Sequence, residues 1–218
     1  AYWDGNCTDV TDPGQAPYLA RKGVLPFGVR FDRSSKELVI PLRDGEGKLW
    51  NVQRIAPTKP ERGTDKLFIR GAKKSGLFHL IGQVQAPGAL LVAEGYATGA
   101  SLHMATEKPV AVAFDAGNLE PVAKKLREKF PNAAITICAD NDHKHTRRTP
   151  EGVEPWNKGV ELAQRAAQEV GGKVVAPIFT AEERANGLTD FNDLHQSRGL
   201  DEVKRQVGLV LQKGVEQE

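Results

Sequence analysis

Cysteine is nearly absent from this chain: there are two, Cys7 and Cys138, in 218 residues. Two thiols cannot build a four-cysteine zinc site, and no histidine pairs with either at finger spacing. Both are expected to be free thiols in a reducing compartment, with Cys138, inside an apolar run, a small core residue. No apolar run approaches the roughly 20 residues of a membrane span, so no membrane partner is expected. Internal repeats and low-complexity tracts are missing. The chain opens Ala1-Tyr2-Trp3-Asp4, with neither a start methionine nor a signal peptide. A processed or excised piece of a larger cytoplasmic protein is therefore expected, with further domains outside it.

What is present is ordinary for a globular protein: 39% apolar and 27% charged residues. The net charge of +2 is unevenly spread. Residues 1–85 carry 14 Lys/Arg against 9 Asp/Glu, and the rest 16 against 19. A basic front and an acidic back suit a phosphate-binding surface beside a metal-binding pocket, although an asymmetry this small decides nothing alone.

The front half reads as a β-rich α+β unit. Gln15 to Lys22 is a short helix stopped by Gly23. Glu37–Leu42 and Lys48–Ile55 are two strands around the Gly-rich connection Arg43-Asp44-Gly45-Glu46-Gly47. Shorter strands are expected at Lys66–Arg70 and Leu77–Ile81, and a boundary within Gln83–Gly88. The rhythm then changes. Apolar runs of strand length (Ala89–Ala93, Val110–Phe114, Ala134–Ala139, Lys173–Ile178) alternate with helical patterns at Thr98–Thr106, Leu119–Phe130 and Lys158–Val170. Strands apolar on both faces, alternating with amphipathic helices, predict a parallel sheet covered by helices. Leu200–Gln212 reads as a terminal amphipathic helix. The expected division is 1–85, 86–198 and 199–218.

In open parallel sheets ligands sit at the carboxyl ends of the strands. The first run delivers Glu94-Gly95 there, the second Asp115, and the third Asp140-Asn141-Asp142. Side chains two apart on a strand share a face, so Asp140 and Asp142 can converge, and Glu94 can join them from the same edge. Asp115 alone is explained by helix capping, but capping does not account for acids at successive strand ends. Such a cluster needs a divalent cation, and oxygen ligands with some retained water suit Mg²⁺ or Mn²⁺.

The order Glu94-Gly95 then Asp140-x-Asp142, set on alternating strands and helices, resembles the Toprim domain of bacterial primases, topoisomerases and some nucleases. Leu91-Val92-Ala93-Glu94-Gly95-Tyr96 is closest to the primase form, and Leu188 to Leu194 is similar to the acidic stretch that closes the domain there. Tyr18–Val24, Val39–Asp44, Asn51–Ile55 and Lys66–Gly71 resemble the segment that precedes it in plasmid and phage primases. The resemblance runs from about Pro17 to about Arg205. It implies an α/β fold: a Toprim parallel sheet flanked by helices, behind a smaller β-rich α+β subdomain. It implies Glu94, Asp140 and Asp142 as catalytic and metal-binding acids, with Asp190 and Asp193 as further ligands. Contacts to nucleic acid and nucleotide fall to Arg54, Lys66, Arg70, Lys158 and Asp115.

The implied activity is synthesis of short RNA primers on single-stranded DNA from nucleoside triphosphates, in plasmid or phage replication or conjugation, with a helicase as a possible partner domain. A Toprim nuclease using the same acids, or a non-catalytic nucleic-acid-binding module of a larger protein, are the alternatives. A topoisomerase is disfavoured, because Tyr2, Tyr18 and Tyr96 bring no tyrosine domain. The sequence departs from the family in three places. Thr98 stands where many primases have an acid, residues 143–156 are inserted after Asp-x-Asp, and no zinc ribbon precedes the core. Gly95 and Gly99 are expected to let the helix after the first strand approach the sheet.

Overall fold

In the computed structural model, which describes residues 2–61, 63–85 and 87–212, the chain forms two five-stranded sheets and a separate hairpin. The front sheet follows α1 (Tyr2–Asn6) and is a simple antiparallel meander. Its strands are β1 (Cys7–Asp9), β2 (Arg30–Asp32), β3 (Glu37–Arg43), β4 (Leu49–Ile55) and β5 (Lys66–Phe68), with α2 (Pro17–Lys22) between the first two. β5 is shorter than the sequence predicts because the Asn51 side chain, not a neighbouring strand, accepts the Ile69 N–H at 3.2 Å.

The rear sheet has the order β12-β9-β7-β8-β6. β6 (His79–Ile81) lies before the expected boundary, yet it joins this sheet as its antiparallel edge. β7 (Gly88–Ala93), β8 (Val110–Val112), β9 (Ala133–Cys138) and β12 (Lys173–Val175) are mutually parallel. α3 (Tyr96–Thr106), α4 (Leu119–Lys129) and α5 (Lys158–Val170) connect them. β12 stops early because Pro177 has no N–H for a ladder. β8 stops where Phe114 turns to φ 75°.

Alternate residues of the rear strands enter two cores, as the all-apolar runs require. Leu90, Val92, Ala111, Ala113, Ile135 and Ile137 pack with α4 and α5 residues such as Leu126 and Ala163. Leu91, Ala93, Val110 and Val112 pack with Leu102 of α3 on the other face. That core is continuous with Leu38, Ile40, Leu42 and Ile55 of the front sheet, so the two halves share one interior. Buried Tyr96 stitches them further, its hydroxyl accepting from Phe27 N–H at 2.7 Å and donating to the Leu25 carbonyl at 2.9 Å.

Gly99 does bring α3 onto the sheet, since a Cβ there would lie 2.8 Å from Val112 Cγ2. At Gly95 a Cβ would make only ordinary contacts, so the close approach does not depend on it. The segment 143–156, expected as an insert, holds a hairpin of β10 (Thr146–Thr149) and β11 (Gly152–Pro155). Three helices close the chain: α6 (Ala181–Ala185), α7 (Phe191–Arg198) and α8 (Leu200–Gln212). Ala86 of the expected boundary and residues 213–218 lie outside the described residues.

Candidate active site

The parallel register fixes where the acids emerge. Ala93 of β7 pairs with Val112 of β8 and with Cys138 of β9, so the three strands end level. Glu94 follows immediately, Asp140 two residues past Cys138, and Asp115 three past Val112. Asp142 is drawn to the same edge by α5: its backbone N–H donates to Asn157 Oδ1 at 2.9 Å, and its Oδ2 accepts from Gly159 N–H at 3.0 Å. A Cβ at Gly159 would collide with the Asp140 carbonyl oxygen, so the helix start comes this near only because that residue is glycine.

The acids share one electrostatic field. Burial, then the negative charges of Asp142 and Asp115, raise Glu94 to about 6. Burial, then Glu94, Asp190 and Asp142, push Asp140 well above the usual carboxylate range. In both, the ammonium of Lys66 acts the opposite way. The Ala116 backbone N–H acts on Glu94 in the same direction as Lys66. Asp140 Oδ1 is buried with no hydrogen-bond partner. Asp190 is raised by burial and by Asp193, and lowered by Lys22. Among the described residues, no group of three His, Cys, Asp or Glu side chains is arranged to hold a metal ion by itself.

Asp190 and Asp193 also serve a local purpose. Asp190 caps α7, its Oδ1 accepting Asp193 N–H at 2.8 Å, while Asp193 Oδ2 accepts Thr189 N–H at 2.8 Å. Asp193 is not among the largest influences on Asp140 or Glu94. Asp115 caps the following turn through Asn118 N–H at 3.1 Å and pairs with Lys74.

The cations expected around the site divide by strand face. Lys66 of β5 aligns with Ile55, whose side chain is in the shared core, and a Cβ on Gly95 would lie 3.9 Å from its Nζ. Arg54 aligns with Leu67 and Val39, on the other face. There its guanidinium pairs with Glu37 at 2.7 Å and stands over the Tyr2 ring. The structure does not bring Arg54 to the acids, because strand residues alternate faces. Arg70 is exposed, without an ion-pair partner among the described residues. Lys158 is exposed at the start of α5, one residue before Gly159, with its ammonium 6.0 Å from the Trp156 ring.

Sequence reasoning passed over two contributors. Lys74 neutralises Asp115, and nothing in a lysine pair on a loop marks that role. Gly159 and Asn157 were legible as a capped, Gly-containing helix start, but their hold on Asp142 was not. The inserted hairpin stands beside the site: His145 Nδ1 lies 3.6 Å from Asp142 Oδ2, and Trp156 N–H donates to the His145 carbonyl.

Comparison with known proteins agrees with this arrangement. Residues 89–201 match the Toprim domain, a span that takes in Glu94, Asp115, Asp140, Asp142, Asp190 and Asp193. Two curated Escherichia coli proteins named DNA primase TraC are 43% identical over 171 residues and 39% identical over 180. Those alignments cover 77% and 81% of this chain but only 11% and 16% of the relatives' own lengths. In fold, the chain resembles the primase fragment of the bacteriophage T7 primase-helicase protein. That match has a TM-score of 0.61 at 18% identity and covers 93% of this chain and 80% of that one. With the domain matched over more than half its residues, the chain belongs to the Toprim-domain family.

Proposed function

We propose that this chain is the catalytic core of a DNA primase, making short RNA primers on single-stranded DNA from nucleoside triphosphates. The observation that carries the reading is Asp140: a buried carboxylate oxygen without a donor, in the field of Glu94, Asp142 and Asp190 and faced by Lys66. An unpartnered buried acceptor costs about 1–3 kcal/mol, more for a charged group. Such a cost persists where a ligand removes it.

A divalent cation fits these residues. The donors are all carboxylate oxygens, they mutually repel, and one is orphaned. Glu94, Asp140 and Asp142 would hold Mg²⁺ or Mn²⁺, with Asp190 lending charge from the start of α7. Hard ions of this kind keep several waters and take phosphate oxygens as ligands, so they need few protein carboxylates at once. When bound, such an ion polarises phosphate and lowers the pKa of a coordinated hydroxyl.

The chain's own residues do the rest. Lys66 places a positive charge opposite the acids, where a triphosphate would lie. Gly159 N–H and Asn157 keep Asp142 in place. Lys158 and Arg70, exposed at the margins, would contact phosphates of nucleotide or strand. Asp115 stays neutralised by Lys74 until a substrate competes for that ammonium. The reading places the enzyme in the cytoplasm, in plasmid or phage replication or conjugation; among the described residues no helix is long and apolar enough to cross a membrane. A helicase domain elsewhere in the full protein is the proposed partner, as the phage primase-helicase suggests by name.

The test is to incubate the chain with single-stranded DNA and labelled ribonucleoside triphosphates, with Mg²⁺ or with EDTA. Labelled primers that appear only with the metal are expected. Cleavage of the DNA without primers would assign the same acids to phosphodiesterase chemistry instead.

A further inference from the structure

We infer that Trp50, with Lys48 and Lys73, is a stacking and phosphate-contact station for a single-stranded nucleic acid, outside the acidic site. The inference deepens the primase reading by naming where the strand is held.

β3 and β4 pair regularly from Leu38 opposite Ile55 to Leu42 opposite Asn51, after which the register shifts and Arg43 faces Leu49. Trp50 is the extra residue, with no partner across the ladder. Bulges of this kind re-aim a side chain, and this indole is 42% exposed. Ile69, 44% exposed, lines one cavity with Trp50 and with Tyr2 and Trp3 of α1.

A single exposed tryptophan would mean little. This one is fixed and surrounded by positive charge. Its Nε1–H donates to Asp44 Oδ2 at 2.6 Å, while Asp44 Oδ1 accepts the N–H groups of Glu46 and Lys48 at 3.1 and 2.9 Å. Asp44 thereby locks both the turn and the ring, and its carboxylate is occupied. The ammonium groups of Lys48 and Lys73 lie 4.2 and 5.2 Å from the ring centroid, and neither has an ion-pair partner among the described residues.

Lys73 is set there by buried Asn51, whose Nδ2 donates to the carbonyls of Ala72 and Lys73 at 3.4 and 3.1 Å. The next residue, Lys74, pairs with Asp115, whose charge acts on Glu94. The station is thus joined to the acids by one pinned basic loop. An exposed cation–π contact contributes about 0.5–1 kcal/mol, whereas a base stacked on an aromatic ring contributes about 1–3 kcal/mol. A base therefore displaces a lysine from the ring, and the freed ammonium finds the adjoining phosphate.

The test is fluorescence anisotropy of a labelled oligothymidylate with the full chain in EDTA, so that affinity is read apart from catalysis. Trp50→Ala is expected to weaken binding about tenfold, and Trp50→Phe to retain most of it. Lys48→Ala with Lys73→Ala should shallow the dependence of log K on log salt by about 1.4, at roughly 0.7 per phosphate on a single strand. Thermal melts confirm folding; should Trp50→Ala unfold, the phenylalanine and lysine variants decide. Parental affinity and salt slope in all variants, or a parent that binds no single strand, would overturn the station. The primase reading is judged separately by metal-dependent synthesis, so failure of one is distinguishable from failure of the other.

Discussion

Two groups of carboxylates sit near one another and are treated differently. Asp190 and Asp193 stand at the start of α7, where free amide N–H groups await acceptors; Asp190 takes one and Asp193 takes two. Asp140 stands past the end of a parallel strand, buried, with one oxygen accepting nothing. The same side chain is thus part of the scaffold in one place and an unmet demand in the other. Counting acids does not separate the two; accounting for their hydrogen bonds does.

Asp140→Asn should remove primer synthesis, by on the order of a hundredfold or more, without lowering the melting temperature. A folded Asn variant that still synthesises would erase the contrast. Glu94→Gln should also abolish synthesis while stabilising the fold. The folded pKa of Glu94 is raised from 4.5 to about 6, so its penalty is absent below pH 4.5 and grows as pH rises through 6. In EDTA, the variant's advantage in chemical denaturation should be near zero at pH 4 and about 2 kcal/mol at pH 7.

Gly159→Ala forces a Cβ into the Asp140 carbonyl. It should cost about 1–3 kcal/mol of stability, and synthesis should fall with the displaced Asp142. Asp193→Asn weakens the capping box, for about 1 kcal/mol by denaturant titration, and leaves synthesis at its parental rate. Loss of synthesis there would move Asp193 into the catalytic group. The smallest effect on chemistry is expected from Arg54→Ala. That guanidinium is already paired with Glu37, so the salt slope of single-strand binding should not change, although stability should drop. A shallower slope would return Arg54 to the strand path.

Much of the rear half was legible because parallel strands buried on both faces leave unbroken apolar runs. The ends of β7 and β9 and the acids after them follow from that pattern. Less legible were features decided by tertiary contact. β1 and β2, of three residues each, carry too few residues to show a period. β6 reads like its predecessors, and only pairing with β8 assigns it to the rear sheet. Arg54 and Lys66 look equivalent as basic strand residues, yet pairing places them on opposite faces. The link between Gly159 and Asp142 spans the whole inserted hairpin, beyond any local pattern.

The antiparallel edge strand β6 constrains how a substrate enters. Because a ribbon from the front segment completes the rear sheet, and both halves fill one interior, the lobes cannot swing apart like jaws. A proteolytic nick in the link between β6 and β7 would leave the two pieces clasped rather than release an independent unit. Under the proposed function, a polynucleotide would meet a surface whose shape is set at folding.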